Sequence, residues 1–250
     1  MVCLSGGVDS ALVLAVAVQE RGDDVLALTA VSPTLPDRER AECIRLAAHI
    51  GARHRLVQSG EMHNPDFVRN PSDRCYHCKD ELYTVARTEA RRLGYEWIAD
   101  GVNVDDLGDH RPGLIAADEH DVLHPLVTAG LSKADVRGAA RSLGLDVWAK
   151  PAFACLSSRF PYGTPITVPG LDRVGRLEFF LQDLGFDTVR VRSEGDSARI
   201  EVLPDRIPLL TQEPLRSSVL SAAKEAGFTW VSVDLLGYRQ GSLNEGLHPS

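Results

Sequence analysis

The chain begins with a short apolar strand that leads through a glycine-rich turn directly into an apolar helix. Val2-Cys3-Leu4 is typical of a buried strand, Ser5-Gly6-Gly7-Val8-Asp9-Ser10 forms the turn, and a helix is predicted from Val8 to Arg21. Backbone N–H groups at a helix N-terminus bind anions, and glycines let a phosphate approach them closely. The turn lacks the Gly-Lys-Ser/Thr ending of a Walker A loop and the spacing of a dinucleotide-binding motif. The pattern predicts a phosphate site of another type, the alternative being a turn that only joins two elements.

Strands and helices alternate after this turn as far as about residue 150. Further strands are predicted at residues 24–31, 53–57 and 97–100, and helices at residues 38–50, 79–93 and 132–143. Such alternation is typical of a parallel, doubly wound sheet, whose ligands bind at the carboxyl ends of the strands. Asp100 and Gly101 end the fourth strand and are therefore expected at this edge. Because the first strand is so short, we expect the natural strand to begin before Met1.

A stretch rich in Pro and Gly at residues 150–170 ends this alternation. Beyond it the pattern predicts helices at 171–184 and 215–226 and strands at 188–191, 198–202 and 230–235. The predicted fold class is α/β, a doubly wound parallel sheet in a domain of residues 1–150 with a smaller α+β domain of residues 151–250.

Composition excludes several classes of protein. Of 250 residues, 44% are hydrophobic and 25% charged, as in soluble globular proteins, and the formal net charge of −8 argues against broad nucleic-acid binding. The longest apolar run, residues 11–18, is far too short for a membrane span, and no signal peptide is recognisable. We expect a cytoplasmic protein without membrane or nucleic-acid partners.

The five cysteines fall into two groups. Cys3 and Cys43 lie on a predicted buried strand and helix and are expected to be core residues. Cys75 and Cys78 are three residues apart before a helix, a spacing that suits a metal, a cluster or a redox dithiol, although ordinary thiols remain the alternative. With Cys155 they could hold a [4Fe–4S] cluster with one iron free of protein ligands.

Cys155 lies in a predicted loop with basic neighbours. Lys150 and Arg159 would lower the pKa of its thiol and attract an anionic substrate.

The hexapeptide SGGVDS resembles the pyrophosphatase loop of the ATP pyrophosphatases, among them the GMP, NAD and asparagine synthetases and tRNA thiolation enzymes. Those enzymes cleave ATP between the α and β phosphates and transfer AMP to a substrate oxygen. The resemblance implies an adenine nucleotide alpha hydrolase-like fold, with Thr29 and Ala30 at adenine and Asp9 acting through Mg²⁺. It implies these pyrophosphate contacts: Ser5, Gly6, Gly7, Asp9 and Ser10.

Five further motifs make the resemblance more specific. They are KPAFACLSSRFPYG, RCYHCK, DGVNVDD, HRPG and GYRQGSLNE, and with the loop they span residues 5–245. Together they resemble the ATP-dependent sulfur-insertion enzymes, or sacrificial sulfur transferases, which mature the nickel-pincer nucleotide of lactate racemase. The resemblance implies that ATP adenylates a carboxylate of pyridinium-3,5-biscarboxylic acid mononucleotide and that sulfur then displaces AMP, twice per cofactor.

Two sulfur sources follow from this resemblance. In members with one cysteine, the residue matching Cys155 gives up its own sulfur and becomes dehydroalanine, whereas members with three cysteines use a [4Fe–4S] cluster that holds an extra sulfide. Since Cys75, Cys78 and Cys155 are all present, we favour the cluster route. Cys155 is the first candidate for a catalytic residue in either case.

The resemblance also implies contacts to the substrate and to ATP. Arg190 and Arg192 alternate on a strand and face one side, which suits a phosphate, although solvated surface charge is the alternative. Tyr76 would stack on the pyridinium ring. The other implied substrate contacts are Arg159, Glu178 and Glu201, and the other implied ATP contacts are Arg111 and Lys133. A homo-oligomer, such as a hexamer, is expected.

Other functions compete with this one. A tRNA 2-thiolation enzyme could share the loop and a cluster, but the net charge and the lack of a cysteine-rich ribbon argue against it. A non-catalytic ATP-binding module is a second alternative. An amidotransferase-type synthetase is weaker, since nothing resembles a glutaminase domain.

Overall fold

A computed structural model describes residues 1–108, 112–151, 154–239 and 241–243. The chain forms two units. The first comprises Met1–Phe67 and Ser72–Phe153, and the second comprises Val68–Pro71 and Ala154–Ser250.

The first unit is organised by a parallel sheet. Strands β1 (Val2–Cys3), β2 (Leu26–Val31) and β3 (Arg53–Gln58) pair in that order, with Val2 opposite Ala27. Single parallel bridges from Val2 to Ala99 and from Ala99 to Leu123 continue the sheet on the other side of β1. The predicted fourth strand is thus reduced to one bridged residue, Ala99, and the chain around Leu123 is a position in the sheet that the sequence did not predict.

Helices cover both faces of this sheet. They are α1 (Val8–Arg21), α2 (Asp37–Ile50), α3 (Pro65–Val68), α4 (Arg74–Leu93), α5 (Pro112–Glu119), α6 (Pro125–Thr128) and α7 (Lys133–Ser142). Because side chains alternate along a strand, Val2 and Leu4 pack with α1, α2 and α7, whereas Met1 and Cys3 pack with α4 and α5. The α/β prediction for this part of the chain is confirmed.

Local sequence explains where several helices begin and end. Ser132 caps α7 by accepting a hydrogen bond from the backbone of Asp135, whose side chain bonds back to Ser132, and Gly144 follows the helix with φ 72°. The predicted helix at 79–93 begins earlier, at Arg74, so Cys75 and Cys78 lie within the first two turns of α4 and not before it.

The second unit combines a mixed sheet with helices. Its elements are α8 (Val168–Asp183), β4 (Val189–Glu194), β5 (Ser197–Val202), α9 (Ile207–Leu210), α10 (Leu215–Glu225) and β6 (Trp230–Val233). Strand β5 is central, antiparallel to β4 and parallel to β6. Each element predicted here is present, with ends shifted by a few residues.

No helix in the described ranges has the length and apolar character required to cross a membrane.

Candidate active site

The glycine-rich turn lies at the carboxyl end of β1. Gly6 has φ 75°, a left-handed conformation, and a Cβ on it would lie 3.0 Å from the sulfur of Cys43. Gly7 is the N-cap of α1 and has no side chain that could occupy the N–H groups of the first turn. Position and backbone therefore give the loop the properties of an anion site.

Two serines close the loop on itself. The backbone N–H of Ser5 donates to Oγ of Ser10 at 3.2 Å, and this hydroxyl donates to the carbonyl oxygen of Gly7 at 3.2 Å. The two serine oxygens are also 3.2 Å apart. Ser10 is buried and Ser5 exposed, so Ser10 shapes the loop while Ser5 faces solvent.

Asp9 is held between two partners. Its Oδ2 forms an ion pair with Nζ of Lys133, and its Oδ1 accepts a hydrogen bond of 3.1 Å from Nδ2 of Asn103. The structure therefore brings together two residues that the sequence assigned separately to ATP. A carboxylate at this place would suit Mg²⁺, which prefers oxygen ligands and commonly binds through one or two carboxylates, water and substrate phosphates.

Lys150 is a loop contact that sequence reasoning assigned elsewhere. Its Nζ donates to the carbonyl oxygen of Gly6 at 3.2 Å and pairs with Oε2 of Glu39 at 2.7 Å. The prediction linked Lys150 to the thiol of Cys155, five residues along the chain. The structure shows instead a contact of this side chain with a loop 144 residues away in the sequence.

Gly101 packs against the start of α1. A Cβ on Gly101 would lie 2.5 Å from the backbone nitrogen of Ser10, so only glycine allows this approach. Asp100, beside it, is buried, and its carboxylate accepts hydrogen bonds from Tyr83 and Val102 and pairs with His124. Both residues lie at the predicted edge, but Asp100 has its two oxygens engaged within the protein.

Burial and hydrogen bonds act against each other at Asp100. Burial raises its pKa, but the hydrogen bond from His124, the charge of Lys79 and the hydrogen bond from Tyr83 outweigh burial and lower the pKa below the usual range. Conversely, the hydrogen bond to Asp100 raises the pKa of His124 despite the opposing effect of its own burial.

Thr29 is fully enclosed near the end of β2. Its hydroxyl donates to the carbonyl oxygen of Leu4 at 2.7 Å, and Nε2 of His54 lies 2.9 Å from the same hydroxyl. Since a hydroxyl has one proton, His54 must donate here. Burial lowers the pKa of His54, which agrees with a neutral ring. The Thr29 side chain is thus engaged within the sheet, and its neighbour Ala30 is half-buried.

The remaining first-unit candidates lie mainly on α4. Cys75 is exposed and Cys78 half-buried, and they are three residues apart on one helix face. Tyr76 donates a 2.8 Å hydrogen bond to Oε2 of Glu119, and this bond raises the pKa of Tyr76. Arg111, with His110 of the HRPG motif, lies outside the described residues.

Cys155 belongs to the second unit, where it is the N-cap of a short 3-10 helix at Leu156–Arg159. Its side chain is half-buried. The guanidinium of Arg159 donates to the carbonyl oxygens of Ala154 at 3.1 Å and of Cys155 at 3.4 Å. Arg159 is wholly buried and forms a two-pronged ion pair with Glu178, at 2.6 and 2.8 Å. This pair therefore supports the backbone around the thiol.

Arg190 and Arg192 share one face of β4, as predicted, but they are buried and not solvated. Arg192 forms a two-pronged ion pair with Glu201, at 2.9 and 2.8 Å. Arg190 donates to the carbonyl oxygen of Val189 and lies over the ring of Tyr238, and burial, then the charge of Arg159, lowers its pKa. With Arg159, they make three buried guanidinium groups in the second unit.

Cys3 and Cys43 are buried core residues, as predicted. Burial raises the pKa of the Cys3 thiol to about 12 and that of Cys43 to about 11, so neither is a ready nucleophile. Among the residues that the structure describes, no group of three or more His, Cys, Asp or Glu side chains is arranged to hold a metal ion. Thiols are nevertheless the donors that an iron–sulfur cluster requires.

Comparisons with known proteins found one matching family and relatives that align over nearly the whole chain. Residues 1–104 match the asparagine synthase family. The chain is 36% identical over 249 residues to the pyridinium-3,5-bisthiocarboxylic acid mononucleotide synthase of Lactiplantibacillus plantarum, covering 98% of this chain and 89% of the relative. It is 47% identical to the uncharacterized protein slr1717 of Synechocystis sp. over 247 residues, covering 99% and 92%.

A third relative is more distant. The uncharacterized protein MJ0830 of Methanocaldococcus jannaschii is 26% identical over 239 residues, covering 96% of this chain and 90% of that protein. The asparagine synthase match and the mononucleotide synthase relative both support an ATP-using enzyme with a pyrophosphatase loop. The chain therefore belongs to the ATP-dependent sulfur-insertion family of nickel-pincer cofactor maturation, within the ATP pyrophosphatase superfamily.

Proposed function

We propose that this protein activates a carboxylate of pyridinium-3,5-biscarboxylic acid mononucleotide with ATP and converts it to a thiocarboxylate. The observation that supports this most strongly is the 36% identity, over nearly the whole chain, to a synthase of the bisthiocarboxylic acid mononucleotide. The tRNA-thiolation and ATP-sensor alternatives have no comparable relative in their favour. We further propose that the enzyme works as a homo-oligomer.

The first step is adenylation. The substrate carboxylate oxygen attacks the α-phosphorus of ATP, and pyrophosphate leaves. The amides at the start of α1 and Ser5 would contact the pyrophosphate, with Lys133 and Lys150 beside the loop to offset its charge. Mg²⁺, held through Asp9, would neutralise charge on the phosphates. Lys133, which pairs with Asp9 in the structure, would lie beside the phosphates as well.

The second step is sulfur transfer. A sulfur nucleophile attacks the acyl carbon, and AMP leaves. In the sacrificial route the thiol of Cys155 displaces AMP to form a thioester. Loss of the Cα proton to solvent and cleavage of the Cβ–S bond then release the thiocarboxylate and leave dehydroalanine at position 155. In the cluster route, a [4Fe–4S] cluster held by Cys75, Cys78 and Cys155 would supply a sulfide. The buried guanidinium groups of Arg159, Arg190 and Arg192 would offer hydrogen-bond donors of the kind that suit the mononucleotide phosphate.

The test measures both steps separately. Protein prepared without oxygen is incubated with ATP, Mg²⁺ and the substrate, and pyrophosphate and thiocarboxylate are measured. We expect Cys155→Ala to release pyrophosphate but to form no thiocarboxylate, because the thiol acts after adenylation. Cys3→Ala is the matched control and should retain transfer. Thiocarboxylate formation by Cys155→Ala would refute the assignment.

The mass of the wild-type protein after turnover separates the two sulfur sources. Loss of the mass of H₂S, with no iron bound, would establish the sacrificial route. Unchanged protein mass, with iron and labile sulfide that are lost in Cys75→Ala and Cys78→Ala, would establish the cluster route, which we favour.

A further inference from the structure

A buried network of side chains lies behind the sheet edge that bears the phosphate loop. The hydroxyl of Tyr83 donates to Oδ2 of Asp100 at 2.7 Å, and Nδ1 of His124 lies 2.7 Å from Oδ1. The backbone N–H of Val102 also donates to Oδ1, at 3.1 Å. Because an ionised carboxylate only accepts, Nδ1 of His124 is the donor in its pair. Asp100 is thereby held by α4, by the segment at His124 and by the backbone of its own loop.

The loop that follows Asp100 contacts the phosphate loop and its neighbours. Gly101 packs on the backbone of Ser10. Asn103 donates its side-chain amide to Asp9. The backbone N–H of Lys133 donates to Oδ2 of Asp105 at 2.8 Å. The 100–106 loop therefore contacts both members of the Asp9–Lys133 ion pair and the first turn of α1.

We propose that His124 is a positioning residue for ATP: by donating to Asp100 it holds the 100–106 loop against α1 and so places Asp9 and Lys133 to receive the phosphates. This inference rests on the proposed function, since ATP is the ligand that these residues would contact. His124 acts through Asp100 and not by touching the nucleotide. Its Nε2 atom is buried and has no hydrogen-bond partner within the described ranges.

The surroundings of His124 favour its role as the hydrogen-bond donor to Asp100. His124 is the N-cap residue of α6 and directly follows Leu123, which bridges to Ala99 in the sheet, so the backbone on both sides of His124 is held. The charged groups that influence it are Asp100, Asp118 of α5 and Lys79 of α4; the two carboxylates favour the protonated ring, and the ammonium opposes them. Tyr83 of α4 shares Asp100 with it.

The experiment compares variants that differ only in this hydrogen bond. Binding of α,β-methylene-ATP, which cannot be cleaved between its α and β phosphates, is measured by calorimetry with Mg²⁺. We expect His124→Ala to raise the Kd about tenfold or more, equivalent to about 1.4 kcal/mol. His124→Asn should bind nearly as wild type, because its amide places an N–H donor close to the position of Nδ1.

His120→Ala is the matched control. His120 also pairs with an aspartate, Asp80, at 2.8 Å in the first unit, and its ring lies 6.0 Å from that of Tyr83 without taking part in the hydrogen bonds that Asp100 accepts from Tyr83, Val102 and His124. We expect this variant to bind as wild type. At saturating ATP, His124→Ala should also release pyrophosphate at close to the wild-type rate, because positioning affects the KM for ATP more than kcat.

Three results would overturn the inference: wild-type affinity in His124→Ala, failure of Asn to restore binding, or equal weakening in His120→Ala. If His124→Ala does not fold, His124→Gln is measured instead. Its amide lies one bond further from the backbone, so this variant should bind the ATP analogue more weakly than His124→Asn does. If the wild-type protein itself does not bind the analogue, the proposed function fails and the inference with it. If it binds and only the His124 predictions fail, the proposed function stands.

Discussion

Buried arginines in the second unit show how far a residue's role depends on its partner. Arg192 was predicted to face a phosphate because it alternates with Arg190 on a strand. The alternation is present, but Arg192 pairs with Glu201 on the neighbouring strand and donates to the carbonyl oxygen of Ser158. Arg159 likewise pairs with Glu178 and holds the backbone at Cys155. Spacing in sequence predicted the face, and only the tertiary structure showed which groups the guanidinium contacts.

The Arg159–Glu178 pair leads to a prediction about stability. Side chains of both residues are almost completely buried, at 0% and 1% exposure. Glu178→Gln leaves a buried guanidinium without its counter-charge and should lower the free energy of unfolding by about 3–5 kcal/mol. Urea unfolding of the purified variant measures this value.

An exposed pair on the same helix is the control. Arg176 and Asp172 of α8 are 3.1 Å apart, but both side chains are more than half exposed. Asp172→Asn should therefore change the free energy of unfolding by at most about 1 kcal/mol. Equal losses in the two variants would contradict the role given to burial.

The His124–Asp100 pair makes stability depend on pH in a defined direction. The pKa of His124 is raised by Asp100, so its contribution is complete below the ordinary histidine pKa of about 6.5 and is lost as pH rises through the raised value. Because the pKa of Asp100 is lowered, its contribution to the free energy of unfolding is lost only as the pH falls through that lowered value.

We expect Tm of the wild-type protein to fall relative to that of His124→Asn as pH increases from about 6 to 9, because the amide does not titrate. Thermal unfolding followed by circular dichroism at several pH values measures the difference. Parallel curves for the two proteins would show that the pair does not contribute charge-dependent stability.

At the scale of elements, the contact between the 100–106 loop and α1 depends on one glycine. Gly101→Ala would place Cβ 2.5 Å from the backbone nitrogen of Ser10, where no side chain can move aside. Either the loop or the start of α1 must shift, and we expect at least about tenfold weaker binding of α,β-methylene-ATP. Calorimetry with Mg²⁺ measures the affinity.

Gly138 in α7 is the control glycine. Nothing lies within 4 Å of a Cβ built on it, and its position in the helix favours alanine. Gly138→Ala should keep wild-type affinity and raise the free energy of unfolding by roughly 0.5–1 kcal/mol. Wild-type affinity in Gly101→Ala would show that the close packing has no part in binding.

Element boundaries were predictable where local signals were strong. The cap at Ser132 and the glycine at 144 correctly delimit α7. The start of α4 was missed, although Asp73, a residue type favoured as an N-cap, precedes the helix; its side chain makes no capping bond in the structure. The predicted strand at 97–100 keeps one bridged residue, Ala99, and Leu123 joins the sheet beside it without a strand pattern. Pairing in the sheet, and not strand propensity, determines these positions.

At the scale of the whole molecule, the order of strands in the parallel sheet supports the proposal of a phosphate site at the glycine-rich loop. Strands β2 and β3 lie on one side of β1, and the segments at Ala99 and Leu123 lie on the other. Successive strands are therefore added first on one side of β1 and then on the other, although all of them run parallel. Open parallel sheets bind their ligands beside such a change of side, which is where the loop and Asp100-Gly101 meet.

The sequence by itself determined the family, the α/β alternation of the first unit and the phosphate loop, because these depend on composition and motifs within short stretches. Only the tertiary structure decided which groups those motifs contact. Lys150 reaches Gly6, and His124 holds Asp100, across 144 and 24 residues of chain. Such contacts depend on how strands and helices pack, and no local pattern in the chain records their partners.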